Sequence, residues 1–367
     1  MTPAIELHPT SSGGRIYRIP LELFPGLDGY AHLVYAGEIV ALVDVGSGFG
    51  ECDRQLEAGL AAISSQFGEK ASWDDLTHVL ITHGHIDHFG GLRFVQDRCR
   101  AAVGIHELDL AVLTQYEQRL AVTASRLRQY LHEAGVDEAG CERVMSLYLL
   151  NKHLFSSVPV DFTFEAAGMR VGALRLIHVP GHCPGQVVIQ LDEVLLSADH
   201  ILRDVSPHQA PERLTLHTGL AHYLRSLQET RPLSDVVRLT LGGHHAPIED
   251  LAARIEAIES LHRDRLGQVL ALLSEPMTIA EVAQALFPGS EGYHELLALE
   301  EAGAHVEYLS QRGYLKIEDP EAIGTDAPVR YRVFHGSTPP WPAAFAAPQE
   351  AGRNAESVSA ARRSLGP

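Results

Sequence analysis

The chain has 367 residues, of which 45% are hydrophobic and 21% charged, a composition typical of a globular protein rather than a disordered one. Its 47 acidic and 29 basic residues give a net charge of −18, which disfavours nonspecific binding to nucleic-acid phosphates or anionic membranes. The four cysteines lie far apart without a CxxC pair, which excludes a disulfide scaffold and a structural zinc finger.

The beginning of the chain, MTPAIELHPTSSGGRIYRIP, has neither the basic start nor the apolar run of a signal peptide. No window contains the roughly 18 consecutive apolar residues that a membrane-spanning helix needs. We therefore expect a cytoplasmic protein that does not enter a membrane.

The first hundred residues alternate between strand-like and helix-like segments. RIYRIPLEL and AHLVYAGEIVALVDVG are rich in branched and aromatic residues and predict strands. A helix is predicted near 51–67, a buried strand at 76–83 and a short strand at 101–106. This alternation indicates an α/β sandwich.

Residues 107–155 have a different pattern. Apolar side chains recur there at helical spacing, which predicts an amphipathic helix up to Gly135, and a second helix is predicted at about 138–151. This segment could cap a cleft with an apolar lining, or its aromatic side chains could pack the helices onto the sandwich.

Strand-like sequence patterns resume in VDFTF, MRVGALRLIHVPG, VVIQLDEVLLSAD and VVRLTLGGHH. A long helix is predicted after Pro247, up to about Leu273. Beyond it, Thr278 and Glu281 form a capping-box pattern, a helix is predicted at 293–312, and GYLKIED with VRYRVF predicts a hairpin. We expect a sandwich domain over 1–250 with a helical insertion at 107–155, a winged-helix-like domain over 251–336 and a disordered tail over 337–367.

The most informative stretch is THGHIDHFGGL, residues 82–92, where His83, His85, Asp87 and His88 fall within six positions. Ligands spaced this closely fit a loop at the end of a strand better than one face of a helix. Imidazole and carboxylate groups suit zinc and other first-row divalent ions.

Three later residues occupy similar positions after predicted strands: His182 in HVPGHCPGQ, Asp199 in VLLSAD and His244 in GGHHAPI. Each has an ordinary explanation as a surface histidine or a turn residue. Their joint placement at strand exits, where α/β folds gather their functional groups, favours a shared site.

The series formed by Asp44 in LVDVG, the HxHxDH element, His182, Asp199 and His244 resembles the metallo-β-lactamase superfamily over about residues 15–250. The resemblance implies an αββα sandwich with a two-metal site at one edge. It implies that His83, His85 and His182 bind one ion, that Asp87, His88 and His244 bind the other, and that Asp199 bridges both. Asp44 would orient the ligand loop.

The implied activity is that of a glyoxalase II-like hydrolase in which a metal-bridging hydroxide, with Asp87 as proton acceptor, cleaves a small thioester, ester or lactone. Zinc is the expected metal, with iron or manganese as alternatives. A mononuclear iron persulfide dioxygenase and a metal-dependent nuclease or phosphodiesterase are competing interpretations.

We expect a small-molecule substrate, no nucleic-acid partner and a homodimer as one option for assembly. His208, Arg213 and Tyr223 are further candidates for substrate contact, whereas Cys183 is expected to point away from the site.

Overall fold

The computed structural model describes residues 4–150 and 152–334, and its first sheet contains seven strands in the order β1 to β7. Strands β1–β4 pair antiparallel and β4–β7 pair parallel. The strands are β1 (Glu6–Pro9), β2 (Arg15–Phe24), β3 (Leu27–Ala36), β4 (Ile39–Val43), β5 (His78–Leu80), β6 (Ala102–Ile105) and β7 (Phe162–Thr163).

The second sheet has five strands in the order β12, β11, β10, β9, β8, and its β11–β12 pair is parallel. The remaining pairs are antiparallel. The strands are β8 (Arg170–Val171), β9 (Leu174–His178), β10 (Val187–Leu191), β11 (Val194–Ala198) and β12 (Leu239–Gly242).

Alternation along the strands places one apolar face of the first sheet against the second sheet and the other against helices. Ile16 and Val34 belong to the core between the sheets, together with Leu176, Ile189 and Leu241 of the second sheet. The neighbours of Ile16 and Val34 in the first sheet, Tyr17 and Leu33, point the other way, into a core that includes the helix α1 (Cys52–Phe67). The predicted sandwich is confirmed.

Two short helices follow β5: α2 (Ile86–Phe89) and α3 (Leu92–Gln96). The predicted helical segment after β6 is interrupted at Gln115, and Tyr130 in its second helix donates a hydrogen bond to the Leu299 carbonyl at 2.6 Å. Tyr130 is therefore a packing residue. The helices are α4 (Glu107–Thr114), α5 (Tyr116–Glu133) and α6 (Glu138–Leu149).

The part of the chain after Asp199 contains α7 (Leu220–Thr230), α8 (Leu251–Leu272), α9 (Ile279–Leu286), α10 (Tyr293–Gln311) and the hairpin of β13 (Leu315–Ile317) and β14 (Tyr331–Val333). The predicted capping box of Thr278 and Glu281 is present at the start of α9. Strand β1 and helix α7 were not predicted from the sequence.

The boundary at residue 250, the role of the 107–155 insertion as a cap and the winged-helix character of the C-terminal segment stay predictions. The tail predicted for 337–367 lies outside the described residues. Among the described helices, none combines the length and apolar character needed to cross a membrane.

Candidate metal centre

The predicted ligands converge at one edge of the sandwich because each follows the carboxyl end of a strand. His83 and its neighbours follow β5, His182 follows β9, Asp199 directly follows β11, and His244 follows β12. Thus four strands from two sheets deliver the side chains to one place.

The side chains form two groups that meet at Asp199. The first, here called the three-histidine group, consists of His83, His85 and His182; His83 Nε2 lies 3.1 Å from His85 Nδ1, and the His85 and His182 rings are 4.5 Å apart at their centroids. His182 Nε2 lies 3.7 Å from Asp199 Oδ2.

The second, here called the mixed group, consists of Asp87, His88 and His244. Asp87 Oδ2 lies 3.4 Å from His244 Nε2 and 3.7 Å from His88 Nε2. Asp199 reaches this group as well, with Oδ1 at 3.4 Å from His88 Nε2 and Oδ2 at 3.5 Å from His244 Nε2. The Asp199 carboxylate therefore lies between the two groups.

Hydrogen bonds at the far side of the rings fix the direction in which the histidines face. The Nδ1 atoms of His88, His182 and His244 lie 2.8 Å from Asp44 Oδ2, the His208 carbonyl oxygen and the Asp28 carbonyl oxygen, respectively. In a neutral ring with its proton on Nδ1, Nε2 has a free electron pair directed into the site, as metal-binding imidazoles require.

Asp44 has the role expected from the sequence, since it orients the loop that carries the HxHxDH element. Besides His88, its carboxylate accepts hydrogen bonds from the backbone N–H and the hydroxyl of Thr82, both at 2.8 Å. Its φ angle of 58° lies in the left-handed region, which Asp and Asn tolerate better than most residues.

The carboxylates strongly perturb the histidines of the mixed group. Burial opposes the charged form of His244, but Asp199 and Asp87 outweigh this effect and raise its pKa to about 10. Burial likewise opposes charge on His88, while Asp199, Asp44 and Asp87 raise its pKa well above the usual range. Even without a metal ion, these carboxylates therefore favour positive charge at the mixed group.

Three buried polar atoms at the centre have no hydrogen-bond partner: His88 Nε2, His182 Nε2 and Asp199 Oδ1. Buried polar groups are rarely left unsatisfied, because an unpaired group costs about 1–3 kcal/mol. Imidazole nitrogens and carboxylate oxygens are good ligands for divalent ions such as zinc. The residues present therefore fit the metal ions expected from the sequence.

Comparison with known proteins agrees with this geometry. Residues 25–266 match the metallo-beta-lactamase superfamily. The chain belongs to this superfamily. The match includes all seven predicted ligands and Asp44, and it confirms the resemblance drawn from the sequence.

Proteins from three bacteria resemble most of the chain. The probable metallo-hydrolase YqjP of Bacillus subtilis is 26% identical over 304 residues, which cover 80% of this chain and 90% of YqjP. The crystal structure of a metallo-beta-lactamase family protein from Thermus thermophilus has a TM-score of 0.68 and 27% identity, covering 87% of this chain and 98% of that one. A beta-lactamase domain protein from Burkholderia ambifaria has a TM-score of 0.68 and 22% identity, with coverages of 90% and 94%, and shows the same fold.

The expectation that Cys183 points away from the site was wrong. Its sulfur lies within 4.8 Å of ligand atoms of His83 and His85. Burial raises the pKa of the thiol well above its usual value. Cys183 therefore lies in the wall of the site, beside the three-histidine group.

A second histidine cluster, formed by His262, His305 and Glu301, illustrates the difference between a ligand site and a packed network. His262 Nε2 lies 2.7 Å from Ser206 Oγ, His262 Nδ1 lies 3.1 Å from His305 Nε2, and His305 Nδ1 lies 2.7 Å from the Glu301 carbonyl oxygen. All four ring nitrogens have partners, and Arg265 neutralises the Glu301 carboxylate. This cluster needs no metal.

The three further candidates for substrate contact have other partners. Arg213 pairs with Glu133, and the Tyr223 hydroxyl is buried and donates to the His200 carbonyl at 3.0 Å. His208 holds His182 through its carbonyl oxygen, while its ring lies 2.7 Å from Glu300 on α10.

Sequence reasoning missed Asp109 on α4, which contacts two ligand loops, and Glu300 on α10, which contacts the ring of His208. No local pattern distinguishes them from ordinary helix carboxylates, because their partners are distant in sequence.

Proposed function

We propose that the protein is a dinuclear metal-dependent hydrolase that cleaves a thioester, an ester or a lactone in a small molecule. The observation that carries this proposal is the set of unpaired buried atoms, His88 Nε2, His182 Nε2 and Asp199 Oδ1, at the point where the two groups meet. The name of the relative YqjP, a probable metallo-hydrolase, supports the reaction class.

In this proposal the three-histidine group would hold one ion, the mixed group would hold the other, and Asp199, which lies beside both groups, would serve both. Zinc suits this donor set, and iron and manganese are alternatives. When bound, the ions would supply Lewis acidity and make a water-derived nucleophile available near neutral pH.

Asp87 is the residue we propose as the proton acceptor. Its side chain is 18% exposed, more than those of Asp199 or His88, so it is the most accessible of these three groups. An ionised carboxylate there would accept the proton that the attacking water loses and pass it to the leaving group. General base catalysis of this kind contributes typically about 10²–10⁴-fold to a rate.

The proposed preference for a small substrate follows from charge. The net charge of −18 opposes the binding of long polyanions such as nucleic acids.

One observation favours a second candidate, a mononuclear iron dioxygenase acting on persulfides. His83, His182 and Asp199 lie together as two histidines and one carboxylate, the ligand set of many non-haem iron oxygenases. However, a mononuclear centre leaves the mixed group without a function, and for this reason we prefer the hydrolase.

The test begins with protein purified without added metal, whose metal content is measured by mass spectrometry. Chelation should abolish cleavage of a panel of thioesters, esters and lactones, and zinc or manganese should restore it. Asp87→Asn should lower kcat by at least about 100-fold, whereas Asp192→Asn, a change in a distant hairpin, should not. Full hydrolytic activity in metal-free protein refutes the proposal, and oxygen uptake with a persulfide would favour the dioxygenase.

A further inference from the structure

Helix α4 contributes a fully buried carboxylate, Asp109, that contacts two ligand loops at once. Its Oδ2 atom accepts a hydrogen bond from the Gly84 N–H at 2.9 Å, and its Oδ1 atom accepts one from the Gly185 N–H at 3.0 Å. Gly84 lies between His83 and His85, and Gly185 lies three positions after His182.

The contact at Gly185 depends on the absence of a side chain, and the contact at Gly84 leaves little room for one. A Cβ atom at Gly185 would lie 2.7 Å from Asp109 Cγ and 2.9 Å from the Asp109 backbone nitrogen. A Cβ atom at Gly84 would lie 3.2 Å from the Val112 side chain and 3.3 Å from Asp109 Cγ. The two loops therefore dock directly on α4.

The position of Asp109 in its helix suits an ionised acceptor. It is the third residue of α4, so the partial positive charge of the helix N-terminus stabilises the carboxylate. Hydrogen bonds from N–H groups to a charged oxygen are stronger than those between neutral groups. Without Asp109, the amides of Gly84 and Gly185 would lose this acceptor in a buried environment.

We propose that Asp109 is a positioning residue that assembles the three-histidine group before a metal ion binds. It ties the loop carrying His83 and His85 to the loop carrying His182. This inference rests on the proposed function, in which these histidines bind one of the two ions. The mixed group has separate anchors, since His88 is held by Asp44 and His244 by the Asp28 carbonyl.

The first experiment compares zinc binding by metal-free wild type, Asp109→Asn and Asp137→Asn, using a competing chromophoric chelator. Asp137 is a matched control because its carboxylate also accepts a hydrogen bond from a glycine amide, that of Gly140, at 2.8 Å, but at the start of α6. An asparagine at 109 must turn its NH₂ group toward one of the two glycine amides.

We expect Asp109→Asn to weaken one of the two zinc-binding steps by about 10–100-fold, the usual effect of losing a group that orients ligands. The other step and the Asp137→Asn protein should match wild type. Gly185→Ala, which keeps the carboxylate but separates the loop from α4, should cause the same selective loss. The inference would be overturned if Asp109→Asn and Gly185→Ala both bind two zinc ions with the affinities of wild type.

A second experiment needs no variant. In metal-free wild type, the Gly84 and Gly185 amides should exchange with deuterium as slowly as in the zinc-loaded protein. Fast exchange that slows only when zinc is added would show that the metal, and not Asp109, orders the loops. If wild type binds no metal at all, the proposed function fails. Slow exchange of the Gly84 and Gly185 amides in such a protein would still establish that Asp109 holds the two loops.

Discussion

Replacing Asp44 by asparagine should weaken metal binding, most directly by the mixed group through His88. The buried carboxylate accepts hydrogen bonds from the Thr82 N–H, the Thr82 hydroxyl and His88 Nδ1, all at 2.8 Å. If the asparagine NH₂ group faces Thr82, it meets a backbone N–H. If it faces His88, the imidazole proton must move to Nε2, the atom directed toward Asp199.

The magnitude follows from the cost of either arrangement. Leaving a buried donor unsatisfied costs about 1–3 kcal/mol. Each 1.4 kcal/mol or so corresponds to a factor of ten in an equilibrium constant, so we expect the affinity of the mixed group to fall by about 5–150-fold. The backbone should not be strained further, because asparagine also tolerates a φ angle of 58°.

Zinc titration of metal-free protein against a chelator, with both binding steps resolved, measures this effect. Asp192→Asn is the matched control: Asp192 also has a positive φ, 51°, and accepts a hydrogen bond from the Thr10 hydroxyl at 2.6 Å, but it lies in the turn between β10 and β11. A threefold change in affinity corresponds to about 0.7 kcal/mol. If Asp44→Asn binds both ions with affinities within threefold of those of wild type, the argument from His88 orientation is wrong.

Two further predictions concern the same centre. Glu300 lies 2.7 Å from the His208 ring, and the His208 carbonyl anchors His182. Glu300→Gln replaces a charged acceptor by a neutral one and should lower the zinc affinity of the three-histidine group by about 5-fold. Glu295→Gln, on the same helix, should leave the zinc affinity unchanged, and equal zinc affinities for the two variants would disprove the role of Glu300. The pKa values of His88 and His244 are raised, that of His244 to about 10, so both rings are positively charged at pH 7.5 in metal-free protein. Zinc binding should therefore release up to two protons and strengthen as pH rises toward 10. Calorimetry in buffers of different ionisation enthalpy measures this proton release, and no release at pH 7.5 would contradict the assigned protonation.

The sandwich was predictable because strand alternation is visible over a few residues. The HxHxDH element is also local, but its convergence with His182, Asp199 and His244 was predicted from their positions after strands and from the resemblance to the superfamily. Helix α7 was not predicted, although Leu220, Tyr223 and Leu227 have helical spacing.

The groups that orient the ligands were harder to predict. The partners of Asp109 are 25 and 76 positions away in the chain, and Glu300 is 92 positions from His208. Only the folded chain brings these residues together, and a carboxylate near a helix terminus gives no sign of such a distant partner. The same limit explains the error over Cys183, whose direction depends on how the loop turns after His182.

The anchors of His182 and His244 are carbonyl oxygens of the main chain, at His208 and Asp28. Every amino acid supplies such an oxygen, so evolution could exchange the side chain at position 28 while the His244 imidazole stayed in place, whereas the side chain at 208 also contacts Glu300. An aligned family would then show a variable column at 28. Conservation alone would therefore understate how much of the polypeptide builds this centre.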